Sequence, residues 1–252
     1  MVASREGIGE EIGEGVMRMS ERFGGRESAM HVKGLELPAY DPRAAQGMGL
    51  GYATANRGGC HLNGGYLVAL EGLGLRVKGS TTRGKAALAV FFQDMTEAIS
   101  AAGSCLFTTY AILPSFLVKH PDNPLSRIVF AIIPFTGGLV ASLHNRPGLL
   151  GAGSAGLFPH PRAYGLVTGE KMSTGRFLRA GERIFNLERL VNIRQGLQGG
   201  DTLPARLTSP LQRDPALELV RLAPMLKRYY RIRGWDERGV PKKRRLAKLG
   251  LR

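Results

Sequence analysis

Apolar residues recur along this chain at steps of three and four, and runs that alternate apolar with polar are missing. Phe177, Ala180, Ile184, Leu187 and Val191 form one series that ends near Gly196. Ile8, Ile12, Val16, Met19 and Phe23 form another, stopped by Gly24 and Gly25. That spacing puts side chains on one face of an α-helix, and glycine commonly sits just past a helix end. Lys85 to Ala102, rich in Ala, Leu, Phe and Met and closed by Gly103, reads the same way. So does Pro224 to Arg233, stopped by Gly234, with Trp235 anchoring the next turn. Leu67 to Leu75 is expected to form a short helix. No internal repeat is visible, and the fold class is mainly α, an irregular multi-helical arrangement. On the 177–191 helix the apolar series is expected to face the core, with Glu182, Arg183, Glu188 and Arg189 on a charged outer face.

Proline and glycine divide the remainder. Pro38 and Pro42 make Leu35 to Arg43 an extended connector, because the residue before a proline avoids helical geometry. Pro114 to Gly165 is interrupted repeatedly and is the least regular part. Within it Gly151-Ala-Gly-Ser-Ala-Gly156 spells GxGxxG. A dinucleotide site also needs a preceding strand and a helix opening directly after. Pro147 before the motif and Pro159 and Pro161 after it argue against such a helix, so the motif is rejected.

At 252 residues the chain can bury one sizeable core, or a core plus a fragment of a neighbouring domain. Lys and Arg exceed Asp and Glu by 35 − 20 = 15, which suits anionic partners. Much of the excess lies at the end, from Arg221 through Lys227, Arg228, Arg231, Arg233, Arg238, Lys242, Lys243, Arg244, Arg245 and Lys248 to Arg252. No zinc-finger or aromatic-interleaved pattern accompanies it, so a solvated basic helix is expected and nucleic-acid binding is not. Two cysteines, Cys60 and Cys105, do not make a secreted disulfide framework. The first residues lack the apolar stretch of a signal peptide. The longest apolar run, Ile128 to Leu143, contains Pro134, Gly137 and Gly138 and is short for a membrane span. It is expected to be a buried core segment with no membrane span, in a cytoplasmic protein.

The stretch Gly47-Met-Gly-Leu-Gly-Tyr-Ala-Thr-Ala-Asn-Arg-Gly-Gly-Cys-His-Leu-Asn-Gly-Gly-Tyr66 sets Asn56, Arg57, Cys60 and His61 among glycines. Its apolar runs are too short for ordinary core, so a glycine-rich loop is expected. Glycine permits positive φ and close backbone approach to a bound group. An imidazole on such a loop titrates near neutral pH and is suited to moving protons. The plainer reading is a loop histidine that satisfies backbone groups, with Arg57 and Asn56 holding the loop.

Further motifs join this one in order: Arg5-Glu-Gly-Ile-Gly9, Gly13-Glu-Gly15, Val32-Lys-Gly-Leu-Glu-Leu-Pro-Ala-Tyr-Asp-Pro-Arg43, Tyr52-Ala-Thr-Ala-Asn-Arg-Gly-Gly-Cys-His61, Phe91-Phe92-Gln93-Asp94 and Gly103-Ser104-Cys105-Leu106-Phe107. Gly181-Glu-Arg-Ile-Phe-Asn-Leu-Glu-Arg189, Asn192-Ile-Arg194, Asp201-Thr-Leu-Pro204 and Arg233-Gly-Trp-Asp236 continue the series. Together they resemble the C-terminal region of the aldehyde ferredoxin oxidoreductase family, the tungsten–pterin enzymes. The resemblance implies that residues 1–34 end the family's second, helical domain and that 35–252 form its third. The N-terminal β domain has no counterpart here. The stripe of the first helix would then be covered by sequence that lies upstream in the family, and the chain reads as beginning in the middle of a larger protein.

Members of the family hold tungsten (or molybdenum) between two pterins beside a 4Fe-4S cluster. They oxidise an aldehyde to a carboxylic acid and pass electrons through the cluster to ferredoxin. By resemblance His61 matches the active-site histidine, and Asn63 stands where the family places a pterin contact. Cys105 matches the fourth cluster ligand, the other three lying in an upstream motif. The family's Asp-x-x-Gly-Leu-Cys pterin pattern reads Ser100-Ala-Ala-Gly103-Ser104-Cys105 here, so Ser100, Gly103 and Ser104 stand at its cofactor-binding positions. A hydroxyl at 100 binds an amino-pterin ring more weakly than a carboxylate, because a charged acceptor roughly doubles a neutral bond. The resemblance implies a C-terminal fragment or split subunit that is competent only with a partner chain carrying the missing domains. A non-catalytic remnant that binds a protein partner is the alternative.

Overall fold

In the computed structural model, residues 1–73, 75, 77–108, 115–146, 159–197, 200–209 and 218–251 are described, apart from the side chains of 73 and 118. The fold is mainly α, as expected. Twelve α-helices run through the described residues, together with one two-stranded antiparallel hairpin in which His31 opposes Glu36 and Val32 opposes Leu35.

The architecture is organised on α4 (Lys85–Ala101), thirteen of whose seventeen residues are buried. It packs against α9 (Thr174–Arg194), α11 (Leu222–Arg233), α7 (Gly137–Asn145) and α3 (Gln46–Thr54). The approach of α4 and α9 is set by Gly181, where a Cβ would lie 1.7 Å from the Asp94 carbonyl oxygen. Only a residue without a side chain fits there.

The predicted helices form, with three physical differences. Residues 8–23 divide into α1 (Ile8–Ile12) and α2 (Gly15–Phe23), because Gly13-Glu-Gly15 breaks the run and Gly15 takes φ +83°. The start of the glycine-rich stretch is helix rather than loop. All nine residues of α3 are buried, and Met48, Leu50 and Tyr52 are core. A helical glycine costs about 1 kcal/mol relative to alanine, and three such costs are offset by burying these large side chains. The segment 67–75 holds one π-type turn, Ala69–Leu73.

The second half corrects two expectations. Pro114 to Gly165 contains α5 (Ser115–Lys119), α6 (Pro124–Ile132), α7 and the start of α8 (His160–Thr168). Helix α8 opens immediately after Pro159, with Pro161 in its first turn, where a missing N–H is harmless. The proline argument against a helix there therefore fails. The GxGxxG spelling itself lies outside the described residues. The run Ile128 to Leu143 is not uniformly buried: Phe130 and Ala141 are buried, while Ile128, Ile132, Phe135 and Leu139 are exposed. No single described helix is long and apolar enough to cross a membrane, although the bent pair Pro124–Phe135 and Gly137–Asn145 meets the length and composition test together.

Helix α9 departs in part from its expected orientation: Phe177 is buried and Arg183 exposed as expected, but most of the apolar series is not buried. Its buried face carries Phe177, Leu178, Gly181, Glu182, Phe185, Asn186 and Arg189, whereas Leu187 and Val191 are exposed. Polar groups go inside because each finds a partner. Arg189 bonds Asp201 and the Gly239 carbonyl, and Asn186 Oδ1 accepts from Trp235 Nε1 at 2.8 Å. Glu182 pairs with Arg245 of α12 (Lys243–Leu249). Arg233 and Arg245 are likewise buried, so the basic C-terminal segment is not uniformly solvated.

Candidate functional site

Helix α3 ends at Thr54, and Ala55 leads into a loop that returns at Tyr66. Backbone contact shapes this loop. A Cβ on Gly51 would lie 2.5 Å from the Gly64 carbonyl oxygen, so helix and loop touch main chain to main chain. On the other side Gly59 N–H donates to the Val32 carbonyl at 3.1 Å, seating the loop on the hairpin. Tyr66 takes φ +50° while its N–H donates to the His61 carbonyl at 2.7 Å, closing the tight return that carries the histidine.

Asn63 fixes the interior of the loop. Its Oδ1 accepts from the backbone N–H of Asn56 at 2.6 Å and of Arg57 at 3.3 Å. Its Nδ2 donates to Glu97 of α4 at 2.6 Å and to Glu188 of α9 at 3.3 Å. The Asn63 N–H points at Cys60 Sγ, 3.4 Å away. Asn56 is tied down by donating to the Phe185 carbonyl and Glu188, while its own carbonyl accepts from Asn192. Asn56 and Asn63 are buried and Arg57 is exposed.

His61 is half-buried, with the Tyr40 ring edge-on at 5.3 Å and the Tyr66 ring at 5.7 Å. Its ring nitrogens make no hydrogen bond among the described residues. Burial holds its pKa below the ordinary histidine value, so the neutral imidazole, with one basic nitrogen, prevails at neutral pH.

The second candidate region is the turn after α4. Gly103 takes φ +73° and Ser104 N–H returns to the Ile99 carbonyl at 3.1 Å, a helix stop that throws Cys105 outward. Cys105 is exposed, Ser100 and Gly103 are exposed, and Ser104 is half-buried. Cys105's carbonyl accepts from Thr108 Oγ1 at 2.6 Å. Phe107 reaches back to meet Tyr66 edge-on at 6.2 Å. The rings of His61, Tyr66 and Phe107 thus form a continuous series, and the histidine loop and the cysteine turn lie at one corner. Asn63 faces inward there, whereas Ser100, Gly103 and Cys105 face out.

An iron–sulfur cubane usually takes four thiolates. Cys105 offers one exposed sulfur, and Cys60 Sγ is engaged by the Asn63 N–H. The donor set of this chain does not fit a whole cluster. Around the pterin pattern it offers two hydroxyls and open space beside Gly103, one edge of a cofactor site rather than a cage.

A different group has metal-ligating chemistry: Asp94, His144 and Glu182, whose ligand atoms lie within 4.8 Å of one another. Two arginines already occupy it. Arg233 pairs with Asp94, and Arg245 Nε lies 2.5 Å from Glu182, so two guanidinium charges balance two carboxylates. His144 Nδ1 lies 3.0 Å from Asp94 and its Nε2 2.5 Å from Arg245 Nη2, an arrangement that completes the network with the two guanidiniums as its cations. Sequence reading missed this network and the Glu97–Glu188 pair. The signal available was Glu182, Glu188 and Asp94 on helices that must be buried, misread because charge is ordinarily assigned to the solvent face.

Comparison with known proteins accords with this geometry. The family model described as aldehyde ferredoxin oxidoreductase, domains 2 & 3, matches residues 1–251. The tungsten-containing aldehyde ferredoxin oxidoreductases of Pyrococcus furiosus and Pyrococcus horikoshii are each 39% identical over 257 residues, covering 99% of this chain and 35% of each relative. That of Thermococcus kodakarensis is 36% identical over the same span. The chain therefore spans about a third of the length of the curated relatives it matches.

Proposed function

The chain belongs to the aldehyde ferredoxin oxidoreductase family, and on that premise we propose that it supplies the second-to-third-domain part of an enzyme that oxidises an aldehyde to a carboxylic acid and passes electrons to ferredoxin. Residues 1–34 end the second domain and 35–252 make the third. The remaining part, in a partner chain or elsewhere in the same protein, carries the other cluster thiolates and the base of the tungsten–pterin (or molybdenum–pterin) site, in a cytoplasmic enzyme. The observation that carries this reading is the convergence of His61 and the Cys105 turn at one corner through Tyr66 and Phe107.

The tungsten–pterin would supply the redox chemistry when bound. His61, kept neutral by its half-buried setting, accepts or returns a proton at its imidazole nitrogen beside the aldehyde. Tyr40 and Tyr66 hold its ring and keep bulk water from two sides. Cys105 would supply one thiolate of a 4Fe-4S cluster whose other ligands lie outside this chain. Ser100, Ser104 and the backbone at Gly103 line the pterin edge, with Asn63 fixing the loop beside it.

The test is reconstitution with the chain that bears the upstream sequence. His61→Ala should lower turnover about 10²–10⁴-fold, the usual contribution of a general acid or base, with iron and pterin content unchanged. Cys105→Ser should instead lose the cluster. Loss of the metal centre in His61→Ala would show a structural role, and turnover within about twofold would leave only loop-holding. A second reading, a non-catalytic protein-binding remnant, is favoured by the exposed Ile8, Ile12 and Phe23 of the N-terminal helices. Purified alone, the chain is expected to hold well under four irons and no stoichiometric tungsten or molybdenum, as elemental analysis would report.

A further inference from the structure

The inner side of the histidine loop meets two carboxyl groups, Glu97 from α4 and Glu188 from α9, both directed at the Asn63 side-chain amide. The two asparagine amides there, Asn56 and Asn63, offer four N–H groups between them. They face Glu97, Glu188 and the Phe185 carbonyl, and Asn56 Oδ1 is buried with no partner among the described residues. Acceptors are in surplus. Two ionised carboxylates converging on one buried amide also repel each other, with Glu97 buried and Glu188 half-buried, and one proton adds a donor and removes one of the two charges.

We propose that Glu97 and Glu188 share one proton, and that this carboxyl pair latches the 56–66 loop onto α4 and α9. The charged groups facing Glu97 are Glu188, Arg57 from the loop and Asp94 from the preceding turn of α4. Asp94 is a like charge matched by Arg233, and Arg57, the opposite charge, is exposed, so Glu97 has no buried countercharge among these groups. Burial first, then the Glu188 charge, pushes the Glu97 carboxyl up to about 7. Near neutral pH the proton is therefore present part of the time. With it, the pair has a donor and one negative charge. Without it, two negative charges press on Asn63, and the backbone N–H bonds of Asn56 and Arg57 to Asn63 weaken. Glu97 and Glu188 act here as positioning residues, through Asn63, on the segment that carries His61. The latch needs no metal, cofactor or partner, so it stands or falls separately from the proposed function.

The experiment is a carbon-13 glutamate titration of the full chain by nuclear magnetic resonance, from about pH 5 to about 9, with amide exchange of Asn56 and Arg57 followed in parallel. One carboxyl should titrate near neutrality, and protection of both amides should fall about tenfold through the same step. Glu97→Gln, which keeps a donor and an acceptor without charge, should hold that protection high and flat with pH. Glu188→Gln should move the Glu97 midpoint down towards the ordinary carboxylate range. Titration of Glu97 in that ordinary range in the unmodified chain would overturn the proposal, as would a pH-dependent loss of protection in Glu97→Gln. If Glu97→Gln does not fold, Glu188→Gln decides, since an unmoved Glu97 midpoint excludes a shared proton.

Discussion

The 56–66 loop and the turn that carries Cys105 lie at one corner, yet they are held differently. The loop is held by buried amides, the turn by an exposed backbone with one hydroxyl and two apolar side chains reaching inward or across. Asn63, Asn56 and Asn192 tie the loop to α4 and α9, and its glycines lie against main chain of α3 and the hairpin. The turn at 103–108 is held by its helix stop, by the Thr108 hydroxyl bonded to the Cys105 carbonyl and to His160 of α8, by Leu106 packed on the cluster of Met95 and Phe177, and by the Phe107–Tyr66 ring contact. A group that must present a proton acceptor in a fixed place benefits from such bracing, because small displacements are costly to catalysis. A thiol destined for a cluster shared with other ligands benefits from reach. The difference accords with the roles proposed for His61 and Cys105.

Breaking the braced side from below should have the largest effect. Arg233 is fully buried, pairs with Asp94, bonds Gln93 and Tyr229, and lies over the Phe185 ring. Arg233→Ala strands the Asp94 charge and is expected to cost about 3–5 kcal/mol, read by chemical denaturation. A cost under about 1 kcal/mol would mean that the network is not a determinant of the fold. Asn63→Ala removes an acceptor for two backbone N–H groups and a donor for two carboxyls, and should cost roughly 2–3 kcal/mol. Amide exchange should place the loss in the 56–66 loop and spare the Cys105 turn.

The pH dependence should be smaller. Glu97 has a folded-state value of about 7, above its ordinary 4.5. The folded state thus holds a proton that the unfolded state has already released, and Glu97's effect on stability falls as pH rises between those values. From about pH 6 to about 8 the decline should be about 1 kcal/mol, and Glu97→Gln should abolish it. A rise over that interval assigned to Glu97 would contradict the sign. The smallest effect belongs to the open side: Cys105→Ser should change stability by under about 0.5 kcal/mol, because the thiol is exposed. In thiol labelling Cys105 should react ahead of Cys60.

Helix existence was legible wherever apolar spacing and a terminal glycine agreed, as at α4 and α11. The direction a helix faces was not. On α9 the series Ala180, Leu187 and Val191 looks outward, because Glu182, Asn186 and Arg189 find partners far away in sequence. Pairing with Trp235, 49 residues on, and with Arg245, 63 residues on, leaves no local trace, and it decides burial here. Likewise α3 reads as a glycine loop, since nothing nearby announces that Gly49 meets Val220 and Gly51 meets Gly64. His61 and Cys105 stood out from their local settings and the family resemblance. Glu97 did not, because a single glutamate in a helical run looks like a surface residue.

Lys33 sits between the two halves of the hairpin, and its side chain is nearly buried. Its ammonium donates to the carbonyls of Ala53 and Ala55 at 2.8 Å each and lies 2.9 Å from Asp201. The same two-strand hairpin meets α2 on its other side, through the Val16 N–H bonded to Glu36 at 2.8 Å. The hairpin therefore bridges the N-terminal helices and the end of α3. The residue after Ala55 is Asn56, the first anchor of the histidine loop. The hairpin is thus tied on one side to α2 and on the other, through Lys33 and the Gly59–Val32 bond, to the segment from which the histidine loop starts.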